Sequence, residues 1–283
     1  MAGACYTYRM KKIAFQGEPG AYSEAGVIAH FAPEAVETVP CESFDLVFDA
    51  VNDKTCDYGF IPIENSLAGS IHRNYDLLVR HALWVVGEHQ LRVSHCLIAK
   101  PGVTLNQIRK VISHPQALAQ CEAYLRSLPG VTTEAVYDTA GSVKMVRDSS
   151  DPSVAAVASH RAAELYGMSI LAESIEQDTA NYTRFLVISP NQVIPAAPAK
   201  TSIVFTLRNV TGSLFRSMSV FALRDIDLCK IESRPLVGKP WEYLFYVDFV
   251  GSIHEDRVSR ALSHLSEYAL MLRILGSYPQ HRI

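Results

Sequence analysis

From residue 11 to about 188, short apolar runs alternate with stretches whose apolar positions recur every three or four residues. The runs "KIAFQ" (12–16), "AVETVP" (35–40), "YGFIPI" (58–63), "LWVVGEH" (83–89) and "HCLIA" (95–99) read as strands, followed by "KVIS" (110–113), "TTEAV" (132–136), "VAAVAS" (154–159) and "RFLVI" (184–188). Helical patterns fall at 43–53, 66–80, 115–127, 139–148 and 159–167. Short apolar strands interleaved with helices predict sheets covered on both faces, an α/β architecture. The long strand pattern 83–99 is suited to crossing between two lobes, and a cleft between α/β lobes is a natural ligand site.

The segment "SPNQVIPAAPAK" (189–200) has three prolines among small residues and reads as a linker. Beyond it come strand 201–207, helix 212–223, strands 227–233 and 242–250, helix 255–267 and strand 271–276. That β-α-β-β-α-β order predicts a ferredoxin-like unit. In the third strand Tyr243, Phe245, Val247 and Phe249 alternate with Leu244, Tyr246 and Asp248, the pattern of a half-buried antiparallel strand. The expected division is a bilobal domain over 10–190, a linker over 191–200 and a smaller domain over 201–283.

Among 283 residues, 48% are hydrophobic and 19% charged, so a packed core is expected and disorder is not. A net charge of −3 argues against nucleic acid or an anionic membrane as partner. No apolar run is long enough for a membrane span, and "MAGACYTYRM" lacks the apolar stretch of a secretory signal. Residues 1–9 read as an extension, and the cytoplasm is the expected compartment. Cys5, Cys41, Cys56, Cys96, Cys121 and Cys229 form no C-x-x-C pair and read as buried thiols of a reducing compartment. The histidines show no metal-ligand spacing, so no metal is expected.

Polar turns recur at the carboxyl ends of the strands, where open α/β sheets gather their ligands. "GEPGAYSEAG" offers Ser23 as an N-cap, and "ENSLAGS" offers Glu64, Asn65 and Ser66. "HPQAL" offers His114 and Gln116, and "YDTAGS" offers Thr139 and Ser142. Each combines free backbone N–H groups with a positive helix end, suited to a carboxylate. "GEPG" is not a dinucleotide-binding loop. In "NYTRFLVI" an ideal strand puts Thr183 and Phe185 on one face and Arg184 on the other. Either the backbone bends there, or Arg184 pairs with a carboxylate such as Glu64 or Asp178.

Taken in order, "GEPGAYSE" (17–24), "IPIENSLAG" (61–69), "SHPQALAQC" (113–121) and "NYTRFLVI" (181–188) resemble the signature segments of prephenate and arogenate dehydratases. "GSLF" (212–215) and "IESRP" (231–235) resemble the phenylalanine-binding segments of that family's ACT regulatory domain. The resemblance covers residues 11–280, with Tyr182 and Ser213 departing from the commoner pattern. It implies a periplasmic-binding-protein-like catalytic domain before the ACT domain, and loss of carbon dioxide and water from prephenate to give phenylpyruvate, without a cofactor. Arogenate would give phenylalanine by the same step. The resemblance makes Thr183 the group that assists the departing hydroxyl, with Arg184, Asn65 and Ser66 beside it. Ser23, Glu64, Ser113, His114, Gln116, Asn181 and Phe185 would hold the substrate. Asn209, Gly212, Ser213, Leu214, Glu232, Ser233, Arg234 and Pro235 would bind phenylalanine as effector, in a homodimer or homotetramer. A non-catalytic amino-acid sensor is the competing reading of the same architecture.

Overall fold

Residues 9–236, 238–239 and 241–281 are described in the computed structural model, which divides into two compact units. One contains the chain up to Asn74 together with His89–Phe185; the other contains Tyr75–Glu88 and the chain from Leu186 onward. The chain runs β1 (Lys11–Gln16), α1 (Tyr22–Phe31), β2 (Val36–Cys41), α2 (Phe44–Asn52), β3 (Tyr58–Asn65), β4 (Gly69–Ser70), α3 (His72–Arg80) and β5 (Trp84–Arg92). Next come β6 (Cys96–Ala99), β7 (Lys110–Ser113), α4 (Pro115–Gln120), α5 (Glu122–Ser127), β8 (Thr132–Ala135), α6 (Thr139–Asp148), β9 (Val154–Ala158), α7 (His160–Tyr166) and β10 (Ser169–Ala172). It ends with β11 (Tyr182–Ser189), β12 (Ala199–Leu207), α8 (Ser213–Ala222), β13 (Leu228–Pro235), β14 (Tyr243–Val250), α9 (Asp256–Tyr268) and β15 (Ala269–Pro279).

These strands form sheets of order β2-β1-β3-β11-β5, with β4 beside β3, and β10-β6-β9-β7-β8. The chain leaves the first sheet after β5, enters the second at β6, and returns after β10 to β11. The pattern 83–99 therefore does cross between lobes. The two crossing segments are tied together, with the Val93 amide on Asn181 O at 2.8 Å and the Ile175 amide on His95 O at 3.0 Å. Burial of Leu97, Val111, Cys121, Leu125 and Val157 builds the core of the second lobe.

In the other unit β12-α8-β13-β14-α9-β15 gives the expected ferredoxin-like order, with strands arranged β13-β14-β12-β15. Phe205, Phe221, Phe249 and Leu265 fill the space under its helices. Strand β12 begins at Ala199, inside the stretch read as linker.

Several local expectations are corrected. The helix expected over 66–80 starts only at His72, because the Asn65 side chain accepts from the Leu67 and Ala68 amides and turns the chain, with Gly69 at φ 81°. The helix expected over 115–127 breaks at Cys121. There the Gln120 carbonyl takes the Gln177 amide at 2.9 Å, and the Ala123 amide turns to Gln177 Oε1. Ala21, not Ser23, caps α1. Strand β14 is buried on both faces except near its ends, because Tyr246 packs its ring 4.7 Å from that of Tyr75. Cys229 is exposed on the edge strand β13, unlike the buried Cys56, Cys96 and Cys121. Cys5 and all but Arg9 of the expected extension lie outside the described residues.

Candidate functional site

A cleft of about 260 Å³ lies in the first unit and draws on both lobes. Tyr22 and Ser23 enter it from the start of α1, and Ser70 and Ile71 from just before α3. His114, Gln116 and Gln120 come from the α4 region, Thr139 from the start of α6, and Asn65, Thr183 and Phe185 from β3 and β11. Four helix N-termini thus face one space, each a source of partial positive charge. None of the lining residues is Lys, Arg, Asp or Glu. Phe185 lines it and stacks on Phe60, with ring centroids 4.6 Å apart. A larger cleft of about 430 Å³ is lined by Glu18, Glu42 and Asp138 and is poorly suited to a carboxylate ligand.

Hydrogen-bond directions in the smaller cleft are fixed from one end. Asn65 Oδ1 accepts the Leu67 and Ala68 amides at 3.1 and 2.9 Å, so its Nδ2 must be the donor. That nitrogen reaches Asn181 Oδ1 at 2.7 Å, Tyr182 O at 3.2 Å and Thr183 Oγ1 at 3.1 Å. Thr183 therefore accepts from Asn65, and its own proton is free to point elsewhere.

The same logic continues inward. Asn181 Nδ2 donates to Gln120 Oε1 at 3.1 Å, so that oxygen is an acceptor, and His95 Nε2 must donate to it at 2.8 Å. In neutral His95, Nδ1 then accepts from the Tyr22 hydroxyl at 2.7 Å, a proton shared with Ser94 O at 2.7 Å. Burial lowers the His95 pKa and raises that of Tyr22 well above the ordinary phenol value. Because Gln120 Oε1 only accepts, no proton can pass along this chain from His95 to Thr183. The chain holds Thr183 in place and does not supply its proton.

The structure brings Ser23, Asn65, His114, Gln116, Thr183 and Phe185 together, and leaves other expected residues outside the lining. Arg184 points to the opposite strand face and pairs with Glu64 at 3.2 Å, 8% exposed, so the backbone does not bend and the pairing alternative holds. Ser66 bonds to Ala180 O at 2.7 Å and accepts the Tyr182 amide at 2.9 Å, stitching the loop to β11. Ser113 is buried on Val157 O at 2.6 Å, and Asn181 is buried behind Asn65. Tyr22, His95 and Gln120 are cleft residues that sequence reasoning did not single out. Only "AYS" and "AQC" within the quoted signature segments pointed near two of them.

In the other unit a cavity of about 310 Å³ is lined by Asn209, Gly212, Ser213 and Leu214 with Trp241 and Tyr243. Glu232, Ser233, Arg234 and Pro235 lie on β13 and do not line it. Arg234 instead meets Asp76 at 3.2 Å.

Residues 13–193 match the prephenate dehydratase family. A protein of Arabidopsis thaliana named arogenate dehydratase/prephenate dehydratase 2, chloroplastic, is 50% identical over 279 residues, covering 95% of this chain and 72% of that protein. The structure of a prephenate dehydratase from Arthrobacter aurescens in complex with L-Phe superposes with a TM-score of 0.87 at 29% identity, over 95% of this chain and 90% of that one. A structure described as GqqA, a novel type of quorum quenching acylase, superposes with a TM-score of 0.88 at 35% identity, over 96% and 98% of the two chains.

Proposed function

This chain belongs to the prephenate dehydratase family, and we propose that among the substrates of such dehydratases it takes prephenate, giving phenylpyruvate under feedback control by phenylalanine. The observation that carries the reading is the pairing of an Asn65-held Thr183 hydroxyl, its proton free, with a cleft lining that holds no Lys, Arg, Asp or Glu. The substrate side-chain carboxylate suits the helix N-termini with Ser23, Gln116 and Thr139. The ring carboxylate, beside Phe185 and without a cationic partner, is poorly stabilised as an anion, which favours its departure.

The electron balance follows. The bond from the ring to its carboxylate breaks, and that pair enters the ring as carbon dioxide leaves. The ring carbon–oxygen bond breaks with its pair on oxygen, and one proton makes water. Aromatisation supplies the driving force. Thr183 is far too weak an acid to be the final proton source, so its part is a directed hydrogen bond that strengthens as charge grows on the departing oxygen. Arg184 and Ser66 then act by holding β11 and the loop after β3, and not by touching substrate.

A keto oxygen needs only a donor, whereas the ammonium of arogenate is best met by an anionic acceptor, and the lining offers neutral acceptors but no Asp or Glu. This favours prephenate. The double name of the Arabidopsis relative favours a second reading, in which arogenate is also turned over. The deciding experiment measures product from prephenate and from arogenate side by side, with and without phenylalanine. Phenylpyruvate suppressed by phenylalanine is the expected result. Turnover of arogenate alone overturns the substrate assignment, and no product from either, with a phenylalanine-induced thermal shift, returns the chain to the sensor reading. Among the described residues no helix is long and apolar enough to cross a membrane. The cytoplasm is the proposed compartment and a plastid the alternative, which imaging of a fluorescent fusion in the source cell separates.

A further inference from the structure

Helix α3 begins just after the Asn65–Ser70 loop that borders the cleft, and the boundary between the two units falls inside it, after Asn74. Its first turn is fastened to the first unit. The Asn74 side chain donates to Pro62 O at 2.7 Å, and the Ile71 amide just before it to Ile63 O at 2.9 Å. From Tyr75 onward the helix is fastened to the ferredoxin-like sheet. Tyr246 Oη donates to Tyr75 O at 2.8 Å, and the Lys230 ammonium lies 5.8 Å from the Tyr75 ring centroid. Arg273 donates to Val79 O at 2.8 Å and His81 O at 2.6 Å, satisfying carbonyls at the helix end. Three of the four strands of that sheet thus grip one helix.

The contact at Asp76 differs from the rest. Strand β13 alternates half-buried and exposed positions, so Lys230, Glu232 and Arg234 share its inner face while Ser233 and Pro235 face out. Arg234 reaches Asp76 through one terminal nitrogen at 3.2 Å, and its Nε is buried without a hydrogen-bond partner among the described residues. A guanidinium held by one bond of its fork has other pairings open to it. Any ligand that engages Glu232 or the β13 backbone acts on the same strand that holds Asp76.

We propose that α3 is the element through which the C-terminal sheet controls the cleft, and that the Arg234–Asp76 ion pair transmits the signal from β13 to the Asn65–Ser70 loop. The proposal rests on the phenylalanine feedback put forward above. It assigns Arg234 to positioning α3 instead of to holding the effector. Asp76 stands four residues after His72, where α3 begins, and the loop just before α3 is what fixes the donor direction of Asn65 toward Thr183.

The test uses the full chain as wild type, Asp76→Asn and Asp76→Glu. Phenylalanine affinity is measured by calorimetric titration, and turnover is measured without and with saturating phenylalanine. Asp76→Asn is expected to bind phenylalanine within about twofold of wild type and to keep its uninhibited rate. Its ratio of uninhibited to inhibited rate should fall about tenfold toward unity. Asp76→Glu, which keeps the charge, should restore most of that ratio. Wild-type inhibition of Asp76→Asn overturns the proposal, as does a loss of binding that accounts for its lost inhibition. A wild type that binds phenylalanine weakly or is not inhibited by it sinks the feedback reading, and this proposal with it.

Discussion

Replacing Thr183 by Val removes one hydroxyl and nearly nothing else. The two side chains are close in volume, both are β-branched, and the site is a strand. Asn65 Nδ2 would keep its bonds to Asn181 Oδ1 at 2.7 Å and Tyr182 O at 3.2 Å, losing only the 3.1 Å bond to Thr183. One such bond is worth about 1 kcal/mol, which lowers Tm by about 2–4 °C in a protein of this size. The effect on the reaction is much larger if Thr183 meets the departing oxygen. Removing one preorganised donor from a site of developing negative charge costs about 10²–10³-fold in kcat, or about 3–4 kcal/mol. Since the bond strengthens mainly in the transition state, KM should stay within about threefold. Thr183→Ser, which keeps the donor, should retain activity within about tenfold of wild type. Steady-state formation of phenylpyruvate, with thermal melting run on the same samples, checks all of this. A folded Thr183→Val variant with kcat within tenfold of wild type, as a rough limit, refutes the assignment.

Glu232→Ala should raise the phenylalanine concentration for half-inhibition about tenfold while the uninhibited rate is kept; unaltered sensitivity removes Glu232 from the effector's reach. The buried His95 resists protonation in the fold, its pKa lying below the ordinary 6.5, so the unfolded chain takes up the proton first. Its contribution is therefore present above that value and lost as pH falls through it. Wild-type Tm should drop more steeply between about pH 7.5 and about pH 5.5 than that of His95→Gln, and equal slopes contradict the assignment. Gly276→Ala would put a Cβ 2.0 Å from Val85 O, both in the C-terminal unit. A loss of at least about 3 kcal/mol is expected from chemical denaturation, and a stable variant denies that close approach.

Most strands were legible because apolar runs such as "YGFIPI" and "VAAVAS" leave little alternative to a covered sheet, whereas the short β4 and the edge strand β10 carry no run of that length. The period of two also separated Thr183 and Phe185 from Arg184 correctly, and so anticipated the pairing with Glu64. The polar chain behind Thr183 was not legible. Its members Tyr22, His95, Gln120, Asn181 and Asn65 are brought together by the two crossings between lobes; the pattern 83–99 marked the first crossing, but no local pattern encodes the second or the way the two meet. Helix bounds failed where a side chain or a distant segment intervened. Asn65 turns the chain before α3, and Gln177 takes the Gln120 carbonyl where α4 stops. A serine that meets a ligand looks the same in sequence as one that ties a loop to a strand, like Ser66, or one strand to another, like Ser113, and both read as ligand contacts for that reason. The Arg234–Asp76 pair spans 158 positions and had no signature at all.

Because Tyr75–Glu88 groups with the chain from Leu186 onward, the polypeptide is interleaved, and its order of manufacture differs from its order of assembly. A ribosome adding about 5–20 residues per second spends roughly 5–20 s between finishing Glu88 and reaching Leu186. Arg273, which satisfies the carbonyls at the end of α3, arrives later still. For that interval the apolar run "LWVV" at the start of β5 lacks β11, the strand it pairs with in the first sheet, and stays exposed to non-native pairing. The same interleaving means that no single proteolytic cut separates the two units with each left whole.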